Sequence, residues 1–541
     1  MLLINFCRIG ILQRGSSYMR CQCLSTAKEN LVKLLRISDS KAEYICMKYP
    51  LVRKIDLERM KSSLHTITEL GFSKKILLED PTLFSILPVT LKYRYKVLEE
   101  CGIVKITCQE LLSYLTIVKQ KTIGQLKQSH YLQSFVNIEN KLASFMTQWP
   151  TSLTTSISGD IDKLSLYSIR LKIIQRYLEL VLDLSYDEFY RAIETYPTIK
   201  HRPLQSINST LNILQAVIMM PNQKIRNNMY LVHADPDNLN NIIFKINSIG
   251  GIDMKEVIRL HPKIAARSYS SIIEIRNILE EYNISNEAQR RCFDIYTLGP
   301  NTVRERLKQA KEIPEFNTFY KHPRFLKIIH YKNTALKRMW NLYNSNKKCL
   351  SLNILSGSTA HFETFEKAPG DRLGKGKDLI FCISQSLNKA YSSNEIRKLI
   401  KRHPFWINTP LVQVKFVHKQ LSKDFTDSDI FQNCCILLYP WNKIKEILNL
   451  INSRKINKEH IHDSLDINKL DNSQKLSLVL YLLEKNHYFT GNGVWLDEKR
   501  SNNEPNFSMT ELSFTRARKR IVYGEPVAPT GTIYLDYLRC C

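Results

Sequence analysis

The chain has 541 residues, of which 43% are hydrophobic, and carries 78 lysines and arginines against 51 acids, for a formal charge of +27. That apolar content supplies a substantial core, and the excess of positive charge points to a polyanionic partner. No run of 18 apolar residues occurs, which argues against a membrane span, and thirteen cysteines scattered without CxxC pairs exclude a zinc ribbon or a disulfide scaffold.

Residues 1–28 contain Arg8, Arg14, Arg20 and Lys28 and no acid, with apolar residues alternating with the arginines and Ser and Thr clustered late. This is the composition of a mitochondrial presequence; a disordered basic N-terminus is the alternative. Arginines interrupt the apolar stretch, which disfavours a secretory signal.

Between Tyr49 and Gly102 one pattern occurs twice, as YPLVRKIDLERMKSSLHTITELGF and DPTLFSILPVTLKYRYKVLEECGI. Pro50 and Pro81 stand 31 residues apart, and Gly71 and Gly102 each follow 21 residues after their proline. The same phase returns at Pro197, Pro262, Pro323 and Pro404. Two residues on lie Val52, Leu83, Ile199, Ile264, Phe325 and Trp406. Ten on lie Met60, Leu91, Ile207, Ile272 and Val414, with Asn333 as the exception. Seventeen on lie Ile67, Leu98, Leu214, Leu279, Trp340 and Leu421. Pro236 and Pro440 do not fit these offsets. Proline ends one helix, the apolar spacing describes one face of the next, and glycine supplies a left-handed stop. A single such pair cannot bury its apolar face, so the units stack: the expected fold is all-α, a curved solenoid of repeated helical hairpins.

The repeats are expected over 29–346. Residues 347–378, with four glycines and no helical period, read as an insertion or hinge. Repeats resume over 379–490, and 491–541 reads as a basic, partly disordered tail. Within the first block the phase blurs between 103 and 149, and 151–160 is a polar loop.

Catalytic chemistry is not in evidence. Gly374-Lys375-Gly376-Lys377 lacks phosphate-loop spacing and has Asp378 where Ser or Thr is needed. His460, His462 and Asp463 lack a further ligand and diverge on a helix, so no metal site is expected. The histidines before Pro262, Pro323 and Pro404 occupy the slot of Tyr49 and Tyr196, which marks them as packing residues. No cofactor is expected.

One feature goes beyond packing. Positions eleven and fifteen after each proline lie one helical turn apart. Among their twelve residues are Lys61, Lys92, Lys96, Arg338, Lys415 and Lys419, and no acid. Stacking would align them into a row able to track phosphates. A solvated lysine face on a basic protein is the competing reading.

These units resemble the repeats of the mitochondrial transcription termination factor (mTERF) family, most closely in the two segments quoted above and in RHPFWINTPLVQVKFVHKQL. The resemblance covers roughly residues 40 to 450. It implies a basic groove for double-stranded mitochondrial DNA, a role in transcription initiation or termination, and a location in the matrix nucleoid. The partners it implies are another family member or the transcription machinery. Some members act on ribosomal RNA, so an RNA- or ribosome-binding assembly factor remains open, as does a solenoid that binds only protein. The family's base-reading residues are not carried over, because the middle units are out of phase.

The presequence reading has a direct test: a reporter fused to residues 1–40 should reach the mitochondrial matrix, whereas a cytosolic or secreted reporter would contradict it.

Overall fold

The structure, a computed structural model, describes residues 27–146, 160–374, 376–453 and 469–485. The expected presequence up to residue 26, the tail and the His460–His462 pair lie outside these residues. Described residues up to Asn240 form one compact unit and those from Asn241 onward a second. The division falls inside the stretch that the sequence suggests is continuous.

The architecture is all-α. The strands among the described residues are Ser248–Ile249 and Ile252–Asp253, an antiparallel pair joined by Gly250 and Gly251 at φ +60° and +78°. Those positive angles let two residues reverse the chain.

The repeating unit is a helix, a short 3₁₀ turn and a second helix. In one copy these are Tyr186–Thr195, Pro197–His201 and Leu204–Asn212; in another they are Met254–Leu260, Pro262–Ala266 and Tyr269–Glu281. Proline forces the residue before it out of the α region, as at Tyr196 (φ −126°, ψ 70°) and His261 (φ −128°, ψ 75°). The third residue of the turn is held at both ends: the Ile199 N–H donates to the Tyr196 carbonyl, and the Ile199 carbonyl accepts from the Arg202 N–H. Its side chain is driven inward. Val52, Leu83, Ile199, Ile264 and Phe325 are completely buried, and so are Ile67, Leu98, Leu214, Leu279 and Leu421 at the seventeenth position. Trp406 and Trp340 are only half-buried, since an indole is too large for a slot shaped for an aliphatic side chain.

The long proline spacings conceal further units. Phe293 lies 31 residues after Pro262 and opens the turn Phe293–Thr297; Met229–Leu231 and Cys434–Leu438 are equivalent turns. Their third residues Leu231, Ile295 and Ile436 are completely buried, and Leu239, Val303 and Ile444 repeat the tenth position. What the turn requires is its hydrogen-bond pattern and an aliphatic third residue. Proline favours that geometry without being necessary to it. Pro236 and Pro440 failed the register because they belong to a second slot: Pro236 starts the helix Pro236–Lys245, and Pro440 is the N-cap of Trp441–Asn452.

Helix stops follow the same logic. Gly71 and Gly102 are left-handed at φ +82° and +80°, and the following N–H groups of Phe72 and Ile103 donate back to Ile67 and Leu98. Asn283, also 21 residues after its proline, takes that place at φ +54°, with the Ile284 N–H donating to Leu279 at 2.9 Å. Asn tolerates this conformation better than other residues with a Cβ.

Two sequence expectations are corrected here. The stretch 347–378 contains the helices Leu352–Ser356 and Thr359–Lys367, N-capped by Ser351 and Ser358. Each is too short to show a helical period. The histidines before prolines also do more than pack. His322 Nδ1 accepts the Arg324 N–H at 3.0 Å, and His403 Nδ1 accepts the Phe405 N–H at 3.2 Å, so both cap their turns.

In the first unit the helix Leu166–Leu182, which follows the blurred region, is tied to the repeats by a buried ion pair. Arg170, on Leu166–Leu182, donates to Glu100 Oε2 at 3.0 Å and to the Arg202 carbonyl at 2.6 Å. Glu100 also accepts the Leu204 and Gln205 N–H groups at 2.9 Å, capping the helix that starts there. One carboxylate thus joins three helices.

Leu98→Ala and Leu279→Ala should each lower stability by about 2–5 kcal/mol in chemical denaturation, the range for a buried leucine. Asn283→Ala should lose about 1 kcal/mol while Asn283→Gly loses none. Losses below about 0.5 kcal/mol at both leucines would overturn the register.

Candidate nucleic-acid interface

The six predicted cations do not share one environment. Lys61 is exposed and lies 2.8 Å from Glu58, one turn away on its own helix. Lys92 is held between Glu69 at 3.0 Å and Asp237 at 3.6 Å. Burial works to lower its pKa, but the hydrogen bond and the carboxylate charges outweigh it and the pKa rises. Lys96 is half-buried and Lys419 exposed, and neither has an ion-pair partner among the described residues. The Lys415 stem is exposed, but its ammonium donates to the Asn317 carbonyl at 3.2 Å, where desolvation lowers its pKa.

Arg338 is a correction. It is 7% exposed, and its guanidinium donates to the carbonyls of Ile354, Leu355 and Gly357 at the C-terminal end of Leu352–Ser356. The group also sits 5.1 Å from the Phe362 ring centroid, and burial lowers its pKa. A phosphate cannot reach a cation in this position. The sequence misled because an arginine has the same one-letter pattern whether it faces water or the end of a neighbouring helix.

Other cations are drawn into the same role. Lys347 is buried and donates to the carbonyls of Phe365, Glu366 and Ala368, closing Thr359–Lys367. Arg306 donates to Ile329 and His330, closing Phe325–His330. Arg94 donates to Leu111 at 3.0 Å. Helix C-termini present unpaired carbonyls and partial negative charge, so a nearby cation stabilises them. Part of the +27 is therefore structural.

The proline-free turns add residues to the row. Eleven and fifteen positions after Phe293 lie Arg304 and Lys308, and eleven after Cys434 lies Lys445. Arg304 pairs with Glu281 at 2.6 Å, while Lys308 and Lys445 are exposed and have no ion-pair partner among the described residues. In the second unit, Pro300–Glu312 packs on Pro314–Thr318, which packs on Leu411–Leu421, which packs on Trp441–Asn452. Lys308 and Lys419 therefore stand at the fifteenth position, and Lys445 one turn away at the eleventh, on helices linked by packing. Sequence reasoning missed Lys308 and Lys445 because it counted only from prolines; the 31-residue spacing was the available signal.

Gly376 and Asp378 serve packing. A Cβ at Gly376 would collide with the Trp406 ring, and the Asp378 carboxylate accepts the Leu352 N–H at 2.7 Å. Among the described residues no group of His, Cys, Asp and Glu could hold a metal ion, and no helix is long and apolar enough to cross a membrane.

Stacked turn–helix units that carry lysines at a fixed phase define a helical-repeat protein. The chain is 30% identical over 494 residues, 91% of its own length and 87% of the relative's, to "Transcription termination factor 5, mitochondrial" of Drosophila melanogaster. It belongs to the mitochondrial transcription termination factor family. No family model matches the chain, and no solved structure matches it.

Arg338→Ala should lower the thermal midpoint by several degrees, because it leaves three buried carbonyls without a donor. Lys419→Ala should leave the midpoint within about 1 °C. Equal midpoints for the two variants would contradict the assignment of Arg338 to the interior.

Proposed function

We propose that the chain binds double-stranded mitochondrial DNA through the unpaired lysines of the repeats and regulates mitochondrial transcription, at initiation or termination. The observation that carries this reading is the placement of Lys96 in the first unit and of Lys308 and Lys419 in the second at the fifteenth position, with Lys445 at the eleventh, all without ion-pair partners among the described residues. Point charges on a stacked array suit a regularly spaced phosphate backbone, and they fix position on the duplex without reading its sequence. Membership in the family, and a relative whose name places it in mitochondria as a termination factor, support the same reading. The proposed location is the mitochondrial matrix, in the nucleoid. The role is binding rather than catalysis, with another family member or the transcription machinery as protein partner.

Affinity for duplex DNA should fall with salt by about 0.9 log units per log unit for each phosphate neutralised. Changing Lys96, Lys308, Lys419 and Lys445 to Glu should weaken binding and flatten that slope. Lys375→Glu with Lys377→Glu, in the glycine-rich loop, should change neither. Equal loss from the loop pair would show that net charge alone drives binding. Tighter binding of RNA than of duplex DNA at the same salt would favour the ribosomal alternative.

A further inference from the structure

Ion pairs between neighbouring repeats share one phase. Nineteen residues after Pro50, Pro81, Pro262 and Phe293 stands a glutamate each time: Glu69, Glu100, Glu281 and Glu312. Three of these reach a cation at the eleventh position of the repeat that follows. Glu69 meets Lys92 at 3.0 Å, and Glu281 meets Arg304 at 2.6 Å. Glu100 meets Arg170 at 3.0 Å. Arg170 lies nine residues after Ile161, where the turn Ile161–Lys163 begins, as Lys61 lies nine after Val52. For Glu312 the corresponding position, eleven after Pro323, is the uncharged Thr334.

The recurrence follows from helix geometry. Positions eleven, fifteen and nineteen are each one turn apart and lie on one face. Leu57–Glu69 packs on Pro88–Glu100, and Tyr269–Glu281 packs on Pro300–Glu312. The glutamate that ends one stripe therefore reaches the first cation of the next.

The three pairs differ in burial. The Arg170 and Glu100 side chains are 1% and 4% exposed, and Glu100 also accepts two backbone N–H groups. This pair cannot open without stranding a buried charge. Lys92 and Glu69 are 28% and 46% exposed, and Arg304 and Glu281 are 47% and 53% exposed. Pairs this open add little to stability, and ions in solution screen them. At Lys92 a second carboxylate, Asp237 at 3.6 Å, sets two negative charges against one positive. Fixing the register of two helices would need only one. The second acid comes from a helix far along the chain, and it leaves a local excess of negative charge beside the lysine row.

We propose that Glu69, Asp237 and Glu281 are internal stand-ins for phosphate, which hold Lys92 and Arg304 until the backbone of a duplex displaces them. The ligand class rests on the nucleic-acid reading above. The free protein is thus restrained at the eleventh position, and the fifteenth-position lysines make the first contact. Each displaced carboxylate offsets part of the phosphate contact that replaces it.

Anisotropy of fluorescein-labelled duplex DNA with the full chain at fixed salt tests this. Glu69→Gln with Asp237→Asn, and separately Glu281→Gln, should each tighten binding by about two- to five-fold, the worth of an exposed ion pair. Lys92→Gln should weaken binding, and adding it to the Glu69→Gln, Asp237→Asn pair should abolish the gain. Glu194→Gln with Glu363→Gln raises the net charge equally, at exposed acids without ion-pair partners among the described residues, and should change affinity by less than about two-fold. Thermal midpoints of the acid variants should stay within about 3 °C of wild type. A larger fall in midpoint would make the pairs a structural lock and overturn the exchange. So would failure of either acid variant to tighten binding, a gain that survives loss of Lys92, or an equal gain from the control pair. Duplex binding that needs Lys96 and Lys419 but ignores the acids would overturn the exchange and leave the lysine row standing. No duplex binding by wild type would overturn both.

Discussion

A short turn with one completely buried aliphatic side chain is the constraint on which the rest of this molecule depends. The turn brings two helices into contact, and its third residue, from Val52 through Ile436, occupies the seam between them. Because that residue's N–H and carbonyl are both bonded within the turn, the backbone can be buried with its polar groups satisfied. Every other regularity is measured from it: the buried tenth and seventeenth positions, the left-handed stop at Gly71, Gly102 and Asn283, and the phase of the lysines.

Charge in this protein has two populations. Arg170, Arg306, Arg338 and Lys347 sit inside or half-inside, where a cation persists only with carboxylate or carbonyl partners. Glu100 shows the converse, a buried carboxylate satisfied by one guanidinium and two backbone N–H groups. Loss of either member of the Glu100–Arg170 pair would strand the other, which is far costlier than losing an exposed pair. Lys96, Lys308, Lys419 and Lys445 form the other population, available to a ligand. Net charge alone cannot separate the two.

Much of the fold was legible in the sequence because its unit leaves marks at fixed offsets. Pro50, Pro81 and the glycines that follow them disclosed the period, and leucines such as Leu98 and Leu279 disclosed the buried face. What was not legible lacked a residue-type signature. Phe293 and Cys434 open turns without proline, Asn283 stops a helix without glycine, and the helices at 352–356 and 359–367 are too short for a period. The site was harder still. Arg338 and Lys419 look alike in a sequence, and only the position of the helix end near Ile354 separates them.

Crosslinking of the protein to nucleic acid in isolated mitochondria tests the central claim most directly, with sequencing of the recovered DNA and RNA and mass spectrometry of the attached peptides. The account predicts recovery of mitochondrial DNA, with attachment to peptides that contain Lys96, Lys308, Lys419 or Lys445. Recovery of ribosomal RNA without DNA, or attachment that bypasses the repeat lysines, would contradict it.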